Sequence, residues 1–227
     1  MTVTNFLILI NVLAYVWEIS TGGPDSDHGQ LVGVAVMQYG QWWRIFTGAF
    51  LHANLLHIGL NMFALFQVGS VVEALYGKVR FTLLYVVAIV GSGLAVVAFN
   101  YDIPTLGASG AIFGLFGALV AVGLRLGKRG RSLIGQVLPI ILINLVFTVS
   151  VPGISIAAHV GGLVTGFLAG LVLFMMPASR PTPAYAYAAA HETSVPSRAV
   201  ETIEQPPEAA PHEAEDAAPL EERDPRE

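Results

Sequence analysis

Residues 107–126 read GASGAIFGLFGALVAVGLRL, an apolar run in which no charge occurs before Arg125. A bilayer's hydrocarbon core is about 30 Å thick and a helix rises about 1.5 Å per residue, so the run has the length of a membrane span. It opens on the small and polar residues Gly107, Ala108, Ser109 and Gly110, and Gly110 and Gly114 then fall four apart on one helical face. Small residues at that spacing let helix backbones approach closely inside a membrane. A matching stripe stands at Ala158, Gly162, Gly166 and Gly170, with His159 beside its first member. Pairing the two stripes brings Ser109 toward His159.

The rest of the chain agrees with a membrane reading. Of 227 residues, 54% are hydrophobic and 12% charged, against roughly 25% charged in a soluble domain. Six apolar segments can be drawn, at about 3–20, 55–75, 80–99, 109–126, 134–151 and 155–175. The first lacks a preceding basic region and a following cleavage pattern, so it reads as a retained span rather than a cleaved signal. Cysteine is absent, which excludes disulfides and thiolate catalysis. Residues 177–227 hold eleven acidic residues against four arginines, and nine of the thirteen prolines. Such a composition buries too little apolar surface to offset its ordering entropy. The expected architecture is therefore all-α and polytopic: a six-helix transmembrane bundle over 1–176, then a disordered, acidic, Pro/Ala-rich tail over 177–227. The acidity of the tail and the lack of a basic patch argue against a nucleic-acid partner.

Lys and Arg in the short connections set the orientation. Lys78 and Arg80 lie between the second and third segments, Arg125, Lys128, Arg129 and Arg131 between the fourth and fifth, and Arg180 after the sixth, whereas the opposite side has Arg44. Both termini are then expected in the cytoplasm of a cell-membrane protein, with the first, third and fifth connections outside. The first connection, 21–54, is long and carries Tyr39, Trp42, Trp43, Phe46 and Phe50, a density suited to the membrane interface.

Polar side chains inside spans are costly and usually face the protein interior. Asn54, His57 and Asn61 share a face at the start of the second span, Ser109 opens the fourth, and His159 lies near the outer end of the sixth. All sit at similar depth. Each has a plain structural reading: Ser109 as a helix N-cap, His57 and Asn61 as interhelical hydrogen-bonders, the glycines as packing alone. Together they form a hydrolase set of nucleophile, base and oxyanion donors. A metal site on His52, His57 and His159 is disfavoured, because residues five apart on a helix point about 140° apart.

Four pieces in sequence carry a family resemblance: Trp43-Arg44, His52-x4-His57-x3-Asn61, Gly107-Ala108-Ser109-Gly110 and Ala158-His159-x2-Gly162-x3-Gly166. In order and in place on the second, fourth and sixth spans, they resemble the rhomboid family of intramembrane serine proteases. The resemblance implies that Ser109 is the nucleophile and His159 the general base of a dyad without a third carboxylate. The outward acids read from the sequence are Asp25, Asp27 and Asp102, none within a span. It further implies that His57, Asn61 and the Ser109 N–H hold the oxyanion, that Arg44 and His52 are structural, and that no metal or cofactor is needed. Phe113 stands where the family often has a tyrosine packed on the base. Implied substrates are transmembrane segments of other proteins, entering sideways from the bilayer. The alternative is a catalytically silent relative that binds membrane helices.

Overall fold

The computed structural model of the chain describes residues 1–23, 26 and 29–175; the expected tail over 177–227 lies outside them. Among the described residues all regular structure is helical, apart from one antiparallel bridge between Leu31 and Thr105. α1 spans Val3–Ser20, and two short helices follow in the first connection, α2 (Gly33–Tyr39) and α3 (Arg44–Thr47). The second span runs over Leu55–Tyr76 as α4 (Leu55–Ala64), a π-helical turn (Leu65–Gly69) and α5 (Ser70–Tyr76). Then come α6 (Lys78–Phe99), α7 (Ser109–Arg125), α8 (Arg131–Ser150) and α9 (Ile156–Met175). The six expected segments are all present, with ends within three residues of those read from the sequence.

Five of the six are long and apolar enough to cross a membrane, whereas α7, at 17 residues, is shorter. The reason is its position. α7 is buried along nearly its whole length and packs against α6, α8 and α9, so its neighbours rather than lipid surround it. The large apolar residues that remain exposed, among them Leu55, Leu56, Phe63, Ile143, Val146 and Val172, lie on outer faces of α4, α8 and α9. A contiguous apolar exterior of this kind is stable in lipid and not in water. The protein is a multi-pass membrane protein.

Helix ends inside such a bundle must find partners for their free amides. Glu73, on α5, accepts from the backbone N–H groups of Val3 and Thr4 and from the Thr4 hydroxyl at 2.7–2.9 Å, closing the start of α1 from the neighbouring span. The turn between α5 and α6 is the single residue Gly77, at φ +74°, a left-handed conformation that only glycine adopts cheaply. At the same end the Tyr76 hydroxyl lies 3.2 Å from the Ala118 carbonyl and 3.1 Å from that of Gly170, bridging α7 and α9.

Candidate active site

The two glycine stripes meet as their spacing predicts, and they do so backbone to backbone. A Cβ placed on Gly162 would lie 1.9 Å from the Gly110 carbonyl oxygen, and one on Gly166 would lie 2.1 Å from that of Gly114. Neither position has room for a methyl group. A third small surface, on α6, completes the seam: a Cβ on Gly110 would meet the Ser92 hydroxyl oxygen at 2.0 Å, and one on Gly114 the Ala88 Cβ at 2.3 Å.

This approach sets Ser109 Oγ 2.8 Å from His159 Nε2. Ser109 is the first residue of α7 and is not its cap: the N-cap is Ala108, and no side-chain capping bond is made. The serine is partly exposed while His159 is buried, so one face of the pair remains open to a reactant. Phe113, one turn along α7, stacks on the imidazole with ring centroids 4.2 Å apart and planes 15° from parallel. The aromatic packing surface for the His159 ring therefore survives without a tyrosine hydroxyl. On the far side of the ring, Thr148 Oγ1 of α8 lies 2.7 Å from His159 Nδ1. Sequence reading missed Thr148, although it is a polar residue in a span four positions after Asn144.

His57 and Asn61 come to the same end of the bundle. Asn54 caps α4 by accepting from the His57 N–H at 2.9 Å, and Asn61 Nδ2 donates to the His57 carbonyl at 2.9 Å, keeping a second amide hydrogen. His57 Nδ1 accepts from the Ala53 N–H at 3.4 Å, which leaves the ring proton on Nε2. Gly107 lies beneath that nitrogen: its φ is +120°, and a Cβ there would stand 2.9 Å from His57 Nε2 and 3.8 Å from Ser109 Oγ. The N–H of His57 and the serine thus border one small space above Gly107.

The first connection braces this arrangement. Leu31 and Thr105 exchange both backbone hydrogen bonds, at 2.9 and 2.8 Å, and the Gly107 N–H donates to the Gly48 carbonyl at 2.8 Å. The segment leading to Ser109 is therefore paired with the first connection. Arg44 is buried, with its guanidinium donating to the Gln41 side chain and to the Gln30 carbonyl, and the exposed Trp43 ring lies beside it at 4.9 Å. His52 is fully buried; its N–H donates to Glu18 Oε2 at 3.0 Å, and its ring meets His57 edge-on at 5.1 Å. Burial pushes the His52 imidazole down to about 4, with the neighbouring His57 adding to the effect and the Phe50 carbonyl opposing it. The acids counted from the sequence as outward omitted Glu18, which stands in the last turn of α1. Its bond goes to His52, and His159 Nδ1 meets a hydroxyl.

A polytopic helical membrane protein that sets a serine on a histidine near one end of two glycine-packed helices is the class defined by this fold and geometry. The chain belongs to the rhomboid family, whose rhomboid domain matches residues 39–176. It is 37% identical over 172 residues to the rhomboid protease GluP of Bacillus subtilis (strain 168), a match covering 74% of this chain and 34% of that protein. It is 34% identical over 164 residues to RHOMBOID-like protein 6, mitochondrial, of Arabidopsis thaliana, covering 69% of this chain and 53% of the relative. With the rhomboid protease AarA of Providencia stuartii the identity is 27% over 203 residues, 75% of this chain and 72% of that one. The chain thus spans a third to a half of the length of the first two of these relatives.

Proposed function

We propose that the chain is an intramembrane serine endopeptidase that hydrolyses peptide bonds in or near transmembrane segments of other membrane proteins. The observation that carries this reading is the 2.8 Å contact of Ser109 Oγ with His159 Nε2 beside a donor-lined space. In the proposed reaction His159 Nε2 takes the Ser109 proton as Oγ attacks the scissile carbonyl, and the histidine then gives that proton to the leaving amine. Water, deprotonated by the same nitrogen, cleaves the acyl-enzyme and regenerates the serine. The developing oxyanion is held by the Ser109 N–H, His57 Nε2–H and the second amide hydrogen of Asn61. Atoms balance with water as the one co-reactant, and no metal or cofactor enters.

Positive residues between α7 and α8 support an inward connection there, so both termini face the cytoplasm and the dyad opens to the outer side. Residues 1–176 form the catalytic unit, and 177–227 form a cytoplasmic tail that catalysis does not require. A purified wild-type protein should cut a transmembrane substrate and be labelled by a fluorophosphonate, while Ser109→Ala and His159→Ala insert normally and do neither. Cleavage retained by Ser109→Ala refutes the mechanism. A wild-type protein that binds membrane helices without labelling or cleavage is the silent relative instead.

A further inference from the structure

We propose that Thr148 is a positioning residue for the Ser109–His159 pair, its hydroxyl fixing His159 in the tautomer whose Nε2 is free to accept the serine proton. This inference rests on the dyad reading given above. A hydroxyl owns one hydrogen to donate. Thr148 Oγ1 lies 2.7 Å from the carbonyl of Asn144, one turn earlier on α8, and donates to it. That i−4 bond is the usual way a threonine inside a helix satisfies its hydrogen. Oγ1 then has only lone pairs to offer the other atom at 2.7 Å, His159 Nδ1, so Nδ1 must carry the ring proton and donate. A neutral imidazole holds one such proton. Nε2 is therefore bare, and it faces Ser109 Oγ at 2.8 Å.

The hydrogens of this chain all point one way, from the serine through the imidazole and the threonine to the Asn144 carbonyl. Each donor in such a chain polarises the next, and the Nδ1–H bond becomes charge-assisted once the ring takes the serine proton. Phe113 cannot serve this purpose. It lies flat against the ring, which restrains tilt, but a stacked face is indifferent to which nitrogen bears the proton. Thr148 is 2% exposed, so bulk water does not compete for Nδ1. In carboxylate triads an acid at this position orients the histidine and sets its tautomer; here a neutral hydroxyl on a different helix would supply that orientation.

Thr148→Val keeps the shape of the side chain and removes the hydroxyl, while Thr148→Ser restores the hydroxyl with less packing. Turnover should fall about ten-fold in the valine variant with KM unchanged, as expected for one neutral buried hydrogen bond felt in the transition state, and stay within about two-fold of wild type in the serine variant. Independently of activity, the 15N spectrum of the His159 ring should show the Nδ1–H tautomer in wild type and a mixture in Thr148→Val. Wild-type turnover in the valine variant, equal losses in both variants, or an Nε2–H tautomer in the wild-type protein would each overturn the assignment. Ser109→Ala separates this from the parent reading: if it is dead while Thr148→Val is fully active, the dyad stands and only the role of Thr148 falls. If Ser109→Ala still cleaves, the dyad itself falls and the role of Thr148 with it.

Discussion

Adding one methyl group at Gly162 tests the packing that holds the dyad. Its Cβ would stand 1.9 Å from the carbonyl oxygen of Gly110, 2.8 Å from the carbonyl carbon and 3.4 Å from Cα. All three atoms are backbone, so no rotamer change can relieve the clash. An ordinary contact of about 3.5 Å between heavy atoms requires α7 and α9 to part by about 1.5 Å. Ser109 is the residue before Gly110, and His159 lies one turn before Gly162, so the gap opens where the pair meets. A 2.8 Å hydrogen bond stretched by that amount is lost. Overpacking of this kind costs roughly 1–3 kcal/mol, offset in part by the roughly 0.5–1 kcal/mol that alanine gains over glycine within a helix. A misplacement of about 1 Å at reacting atoms costs on the order of 10²-fold in rate. Gly162→Ala should therefore lose at least about 10²-fold in turnover and in fluorophosphonate labelling rate, with a modest fall in thermal midpoint. The control is Gly59→Ala, where nothing lies within 4 Å of the added Cβ; it should behave as wild type in both assays. A purified Gly162→Ala protein with wild-type turnover would refute the claim that this seam sets the distance between Ser109 and His159.

Asn61→Ala should lower turnover 10²–10³-fold, about 3–4 kcal/mol of transition-state stabilisation, with little change in KM; reduced thermal stability with normal turnover of the folded fraction would make it a packing residue instead. Phe113→Tyr should keep most activity, because the stack on His159 is preserved, whereas Phe113→Ala removes a buried ring and should cost roughly 3–5 kcal/mol of stability, read from the thermal midpoint. His52 titrates at about 4 in the fold and near 6.5 unfolded, so the unfolded state binds more protons between those values and stability must fall as pH drops from about 6.5 to 4. Melting over that range in detergent should show the slope in wild type and a smaller slope in His52→Leu.

The spans were legible because bilayer thickness fixes their length, and charges mark their ends. The seam was legible because glycine and alanine recur every fourth residue in both 110–114 and 158–170. Ser109, His159, His57 and Asn61 stood out as polar groups at matching depth in apolar runs. Thr148 did not, since a threonine that bonds its own helix costs little in a span and draws no attention. Glu18 was hidden by its place at the very end of the first apolar run, where an acid reads as a boundary. The contribution of Ser92 and Ala88 was missed, although they are small residues four apart on α6, as Gly110 and Gly114 are on α7. The bridge between Leu31 and Thr105 pairs positions over seventy residues apart and leaves no local pattern. Nor does Leu65–Gly69 carry any mark of its π turn.

The separation of Ser109 and His159 along the chain has a consequence for biosynthesis. Fifty residues separate them along the chain, and the whole of α8 is made between the helices that carry them. A nascent chain inserting from its N-terminus presents Ser109 while α8 and α9 are still to be made. The glycine face of α7 can wait in lipid at little cost, because it offers neither charge nor unsatisfied backbone. During that interval Ser109 lacks the His159 contact and, on the proposed mechanism, remains an ordinary, unreactive alcohol. The proposed protease is thus inert toward its neighbours in the translocon and becomes competent only when α9 docks, a latency that needs neither propeptide nor inhibitor.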